Sequence, residues 1–234
     1  MNGEEEIGDQ VPRRERRVPP GAQPAAAIGG QAPPPDRGGR GAAAKAAAGR
    51  CGENRFVFDA AEPGDGATRK IRLSELFADG KRTLFVYNFM FPQAPDMDSP
   101  CPTCTSIIDA VDGASRHVTQ RINFAVISKA PIERFRQHAR NRGWQHARLL
   151  SSSGNTFNHD YGAEADNGQQ WPLAHVFVRR GKKIHHFWSS ELWWAKPEPG
   201  QDMRHVDFMW PMWGIFDATP DGRSKSWGPS LSYL

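Results

Sequence analysis

Two cysteines, in the run Cys101-Pro102-Thr103-Cys104, are the residues of this chain best suited to covalent chemistry. Thiols at this spacing can close into a disulfide within one helical turn. They follow the apolar run 84–91 and open an amphipathic stretch in which Ile107, Ile108, Val111 and Val118 recur near helical spacing. A cysteine at the start of a helix meets unpaired backbone N–H groups and the positive end of the helix dipole, both of which favour a thiolate. The pattern points to thiol–disulfide exchange, with Cys101 as the exposed nucleophile and Cys104, one turn inside, resolving the mixed disulfide. Pro102 suits the first turn, where its missing N–H costs nothing. Thr103 adds a hydroxyl and no charge.

Charge near the motif sets how strongly the thiol is activated. Residues 91–115 hold Asp96, Asp98, Asp109 and Asp112 and no basic residue before Arg116. Nearby carboxylates raise a thiol pKa and the helix terminus lowers it; the balance predicts moderate activation of Cys101, to about 6–7.5. Metal binding is the competing use of a Cys pair at this spacing. The second half of such a site is hard to find: Cys51 stands far upstream, His117 is alone, and His185 and His186 would point to opposite faces of a strand. His159 and His175 are the histidines left for a copper role. No metal or other cofactor is expected.

The elements that must hold the pair follow from periodicity. Residues 55–59 alternate as a short strand, and 74–77 read as a helical turn. The run 84–91 reads as a central strand buried on both faces, followed by a helix over 101–119 that Gly113 weakens. Residues 122–128 form the next strand. Pro131 then opens a helix whose Ile132, Phe135 and Ala139 share one face until Gly143 stops it. Residues 173–180 and 183–188 flank Gly181 as a hairpin. A β-α-β half joined to an antiparallel β-β half gives one mixed α/β sheet with right-handed crossovers.

This order, with Cys-x-x-Cys at the end of the first central strand, resembles the thioredoxin fold. The blocks Phe-Val-Tyr-Asn-Phe-Met-Phe (85–91), Cys-Pro-Thr-Cys, Val-Ile-Ser-Lys-Ala-Pro (126–131), Gly143-Trp144 and Asp-Ala-Thr-Pro-Asp-Gly-Arg (217–223) resemble the thioredoxin-like family of predicted dithiol-disulfide oxidoreductases, over 55–234. The resemblance implies the fold and the reaction class, and no particular substrate. It also implies a cis-proline facing the thiols just before the third central strand, for which Trp171-Pro172 is the candidate; a cis bond there would let the neighbouring backbone pair with substrate, making Pro172 and Trp171 substrate-positioning residues. Thioredoxins carry a buried carboxylate on the strand before the motif, where this chain has Tyr87 and Asn88. Peroxiredoxins share the fold but place Pro-x-x-x-Thr-x-x-Cys before the helix, a pattern absent from 95–101, so a thiol peroxidase ranks below disulfide exchange.

Composition bounds the rest. Residues 1–50 contain no Phe, Tyr or Trp, and Gly, Pro and Ala fill 27 of the 50 positions, so this segment lacks the apolar surface to offset its ordering entropy. The expected organisation is a disordered tail over 1–54, a thioredoxin-like domain over 55–190 and a Trp-rich extension over 191–234 packed on it. Residues 1–50 carry eight basic and six acidic residues, leaving 22 against 20 in the remainder. That is no footprint for nucleic acid. No run approaches the ~20 apolar residues of a membrane span, and the acidic start lacks a secretory signal, so the protein is expected to be cytoplasmic, with no membrane partner. Seven of the eight Trp lie between Trp171 and Trp227. They read first as core, and secondarily as an aromatic wall for a partner, which is the route to a non-enzymatic binding module. The expected partner is a protein or small-molecule disulfide.

Overall fold

The middle of the sheet is built by two strands whose residues are buried on both faces. In the computed structural model, which describes residues 55–64, 66–78, 80–190, 209–220 and 229–231, these are β3 (Thr83–Phe89) and β4 (Asn123–Ser128). They pair in parallel, Leu84 beside Asn123 through Phe89 beside Ser128. Alternation divides their side chains cleanly. Tyr87, Phe89, Phe124 and Val126 face one apolar cluster, while Leu84, Val86, Ala125 and Ile127 face a second on the other side.

Around this pair the sheet has seven strands in the order β2-β1-β5-β4-β3-β6-β7. β5 (Arg148–Ser151) runs parallel to β4. β6 (Leu173–Arg180) is antiparallel to β3, and β7 (Lys183–Ser189) closes the hairpin with β6. On the other flank β1 (Val57–Ala61) pairs antiparallel with β5 and with β2 (Thr68–Arg72). A 3-10 turn at Leu73–Leu76 follows β2. Two parallel strands linked by a helix and continued by an antiparallel hairpin make the core thioredoxin-like. The mixed sheet and the crossover read from the sequence are both present.

The crossover helices lie on the face of the first cluster. α1 (Pro102–Arg121) runs through Gly113 without a break, and Cys104, Ile107 and Ile108 are its fully buried residues that join that cluster. α2 (Ile132–Arg142) buries Ile132, Phe135 and Ala139, and Gly143 ends it with φ +74°, a left-handed conformation that glycine reaches without a Cβ clash. The short α3 (Phe157–Asp160) covers the opposite face through Phe157. A last helix, α4 (Pro211–Asp217), is preceded by Met209 and Trp210, which are buried in the same cluster as the two cysteines.

β2, β5, α3 and α4 were not expected from periodicity. β2 buries only Ile71 of its five residues, and β5 has only four residues, so neither leaves a repeat to read. The tail over 1–54 with Cys51, the Trp193-Trp194 pair, Trp227 and the end of the 217–223 turn lie outside the described residues. No helix among the described residues is long and apolar enough to cross a membrane.

Candidate active site

β3 ends at Phe89, and the chain then loops out and returns so that Cys101 N–H donates to the Met90 carbonyl at 3.0 Å. That bond seats the start of α1 against the end of the central strand. Cys101 is the N-cap of the helix, with Pro102 in the first turn. An N-cap side chain accepts from the orphan N–H groups of the first turn, a place usually filled by Ser, Thr, Asp or Asn. Here sulfur fills it: Cys104 N–H donates to Cys101 Sγ at 3.3 Å.

The two thiols are free and differ in ionisation. Cys101 is held below the ordinary thiol value, first by a hydrogen bond from the Cys104 side chain and then by the backbone N–H groups of Cys104 and Thr103, against the opposing effect of burial. Cys104 is pushed well above the ordinary value, first by burial and then by Cys101. The asymmetry expected at the helix start has the same direction, and the second thiol contributes more to it than the backbone N–H groups of the first turn. Two expectations need correction. Cys101 is only 8% exposed, so it is a buried nucleophile rather than an exposed one. The carboxylates near the motif are also not among the main influences on it, and three of the four are engaged elsewhere. Asp109 accepts from Arg142 Nε at 3.2 Å and Trp144 Nε1 at 2.7 Å. Asp112 accepts the backbone N–H groups of Gln145, His146 and Ala147 at 2.9, 3.0 and 2.9 Å. Asp98 pairs with Arg134.

Pro172 and Trp171 are brought to the same end of the sheet. The β3–β6 ladder ends at Asn88 beside Leu173, so the next steps along the two chains are Phe89 with Pro172 and Met90 with Trp171. The Trp171-Pro172 bond is nevertheless trans; the cis peptide of the described residues is Phe91-Pro92, inside the loop that carries the motif. Trp171 N–H is also spent, donating to the Ala163 carbonyl at 2.8 Å, and so is not available to pair with a substrate backbone.

Several residues of the site are invisible in local sequence. Thr105 Oγ1 donates to the Cys101 carbonyl at 2.9 Å and meets His138 Nε2 at 3.3 Å. His138 packs against the rings of Phe89, Phe91 and Trp144, and burial, followed by the Arg142 charge, lowers its pKa to about 4. It is a neutral brace for the helix start at pH 7. Arg134 lies over the Phe91 ring at 4.6 Å and donates to the Asp98 carbonyl at 2.8 Å, fixing the loop before the motif. Both residues come from α2; His138, three residues after Phe135, shares its side of the helix, whereas no local spacing marks Arg134.

The histidines considered for a metal lie elsewhere. His175 faces the opposite cluster, its Nδ1 2.7 Å from Ser189 Oγ, and the sheet separates it from the cysteines. His159 Nε2 meets Asp166 Oδ1 at 3.0 Å. His185 is exposed and His186 half-buried on alternate faces of β7. Among the described residues no three His, Cys, Asp or Glu side chains are grouped to hold a metal ion. The Trp residues divide: Trp210 is 3% exposed in the thiol cluster, as a core residue, while Trp188 is 41% exposed.

Three solved structures are similar to part of this chain. A reduced 2-Cys peroxiredoxin of Plasmodium vivax is 18% identical, with 56% of this chain and 80% of that chain covered and a TM-score of 0.42. A peroxiredoxin Q of Xanthomonas campestris is 9% identical, with 59% and 80% covered and a TM-score of 0.43. The mitochondrial 2-Cys peroxiredoxin of Plasmodium falciparum is 12% identical, with 70% and 94% covered and a TM-score of 0.44. No curated protein matches the chain. Residues 53–233 match the model of a family described as bacterial protein of unknown function (DUF899), and the chain belongs to that family.

Proposed function

We propose that the protein is a thiol–disulfide oxidoreductase whose active pair is Cys101 and Cys104. The observation that carries this reading is the placement of two free thiols at the start of α1, where Cys101 caps the helix and accepts the Cys104 N–H at 3.3 Å while Cys104 lies fully buried one turn inside, a setting that lowers the first thiol and raises the second. A pair kept only for structure has no need of that difference. Cys101 thiolate attacks one sulfur of a substrate disulfide, and the other sulfur departs as a thiolate that takes a proton from solvent. Cys104 then attacks Cys101 Sγ, releasing the second substrate thiol and leaving a Cys101–Cys104 disulfide. An external dithiol returns the pair to its starting state by the same steps reversed.

Trp171, half-buried and next in line with Met90, is proposed to position the substrate by contact of its side chain rather than by a backbone bridge, with the buried Pro172 beside it setting the direction of the chain. The substrate class is a protein or small-molecule disulfide. The test is reduction of an aromatic disulfide by the full chain with a dithiol as electron source. Cys101→Ser is expected to abolish turnover, and Cys104→Ser to consume one equivalent and stop as a mixed disulfide detectable by mass. Turnover that survives Cys101→Ser would overturn the assignment. A parallel arm with hydrogen peroxide separates exchange from peroxidase activity.

A further inference from the structure

The resolving step places a burden on Cys104 that the motif alone does not meet. A thiol attacks only as the thiolate, yet Cys104 is fully buried and its proton is held tightly. A buried anion without a hydrogen-bond donor is expensive. The side chains of Phe89, Ile107 and Ile108 in the same cluster offer little to stabilise it.

β3 supplies a donor from beneath. Its residues facing α1 are Phe85, Tyr87 and Phe89, and the middle one ends in a hydroxyl. Tyr87 is 0% exposed, and its Oη is buried without a hydrogen bond of full geometry to any protein atom while both cysteines are thiols. An unpaired buried hydroxyl costs stability in that state. A donor that finds its partner only when charge develops is the arrangement that lowers a reaction barrier. We propose that Tyr87 is a catalytic hydrogen-bond donor whose O–H stabilises negative charge on Cys104 Sγ during resolution and during its reverse. The proposal rests on the exchange reading for its catalytic meaning.

The electrostatics of the two groups agree with a donor and exclude a base. Burial first, and then the charge of Cys104, push the Tyr87 hydroxyl well above the phenol range, so it stays protonated. Tyr87, with the Met90 backbone, is in turn one of the influences that pull Cys104 down against its burial. In resolution the Cys104 S–H bond breaks, the Cys101–Cys104 S–S bond forms, and the bond from Cys101 to the substrate sulfur breaks. The departing substrate thiolate takes up the proton through solvent, and Tyr87 keeps its own. The two cysteines are oxidised and the substrate disulfide is reduced. In reverse, an external thiolate attacks Cys101 and Cys104 leaves into the same hydrogen bond.

Tyr87→Phe removes the hydroxyl and little else. In a Cys101→Ser background, alkylation of Cys104 by iodoacetamide across pH is expected to show a higher midpoint with Phe at position 87, and a rate about tenfold lower at pH 9. In the otherwise unaltered chain, release of thiol from a mixed disulfide preformed on Cys101 should slow about tenfold, while the first attack by Cys101 changes less than twofold. Should the Phe variant fold poorly, fluorotyrosine can replace the three tyrosines; as a stronger donor of nearly the same size, it should move the Cys104 midpoint down. A Cys104 midpoint that moves with neither change overturns the proposal. The alkylation comparison needs no turnover, so a shifted midpoint in a protein that exchanges no disulfide would retain the hydrogen bond and remove the exchange reading instead.

Discussion

Cys104 N–H donates to Cys101 Sγ at 3.3 Å, and the neighbouring Cys104 side chain is the largest influence lowering the Cys101 thiol. The resolving residue thus activates the attacking one before it takes part in the chemistry. Replacing Cys104 with alanine removes the side-chain donor and keeps the backbone one. The alkylation midpoint of Cys101 should therefore rise in Cys104→Ala and stay low in Cys104→Ser, whose hydroxyl can donate. Iodoacetamide rates from pH 5 to 10 measure this; equal midpoints in the two variants would reject the side-chain contribution.

Acid should destabilise the protein through its buried imidazoles. Burial lowers His175 to about 3 and His138 to about 4, and His186 is lowered as well. The unfolded chain titrates these groups near 6.5, so between that value and the folded values it binds more protons than the native state. Stability accordingly falls as pH falls through this window. His175, fully buried, accounts for a loss on the order of 4 kcal/mol between pH 6.5 and 3. His159 is raised by Asp166 and works in the opposite direction, but its side chain is 53% exposed and the effect is small. Urea melts at pH 7, 5 and 4 should give decreasing midpoints, with a shallower decline in His175→Gln.

Gly168 combines two demands that only glycine meets. Its φ is +84°, and a Cβ there would lie 2.8 Å from Pro95 Cγ, in the loop that leads to Cys101. Gly168→Ala should cost about 1–3 kcal/mol by backbone strain, read as a lowered thermal midpoint. Because the clash falls on the loop before the motif, the Cys101 alkylation rate should change with it.

Asp112→Ala would leave three N–H groups without their acceptor, since the carboxylate takes the amides of Gln145, His146 and Ala147. Each buried donor left unsatisfied costs about 1–3 kcal/mol, although water reaches the more exposed amide and recovers part of the loss. A denaturant titration should place Asp112→Ala at least 2 kcal/mol below the parent protein by that scale, with Asp112→Asn between the two because it keeps one oxygen.

The sequence exposed those parts of the fold and site that are written in nearby residues. The buried strand before the motif, the amphipathic α2 with its Gly143 stop and the hairpin about Gly181 each carry their own periodicity or turn residue. The helix N-cap was legible because Pro102 marks the first turn. What could not be read depends on residues far apart. Asp109 and Asp112 count as negative charge in a window of sequence, and only the fold brings Arg142, Trp144 and three backbone amides to them. The exposure of Cys101 is likewise set by packing. Tyr87 was visible as a departure from a carboxylate, but its relation to Cys104 required the register of β3 beneath α1.

Because Asp112 grips main chain and no side chain, it constrains one position of the sequence while freeing others. Positions 145 and 146 carry a partly or wholly exposed Gln and His, and any residue that keeps its N–H can stand there with the turn intact. Proline alone is barred from all three amide positions. The turn joining α2 to β5 therefore tolerates changes of side chain, whereas the single carboxylate one helix away does not.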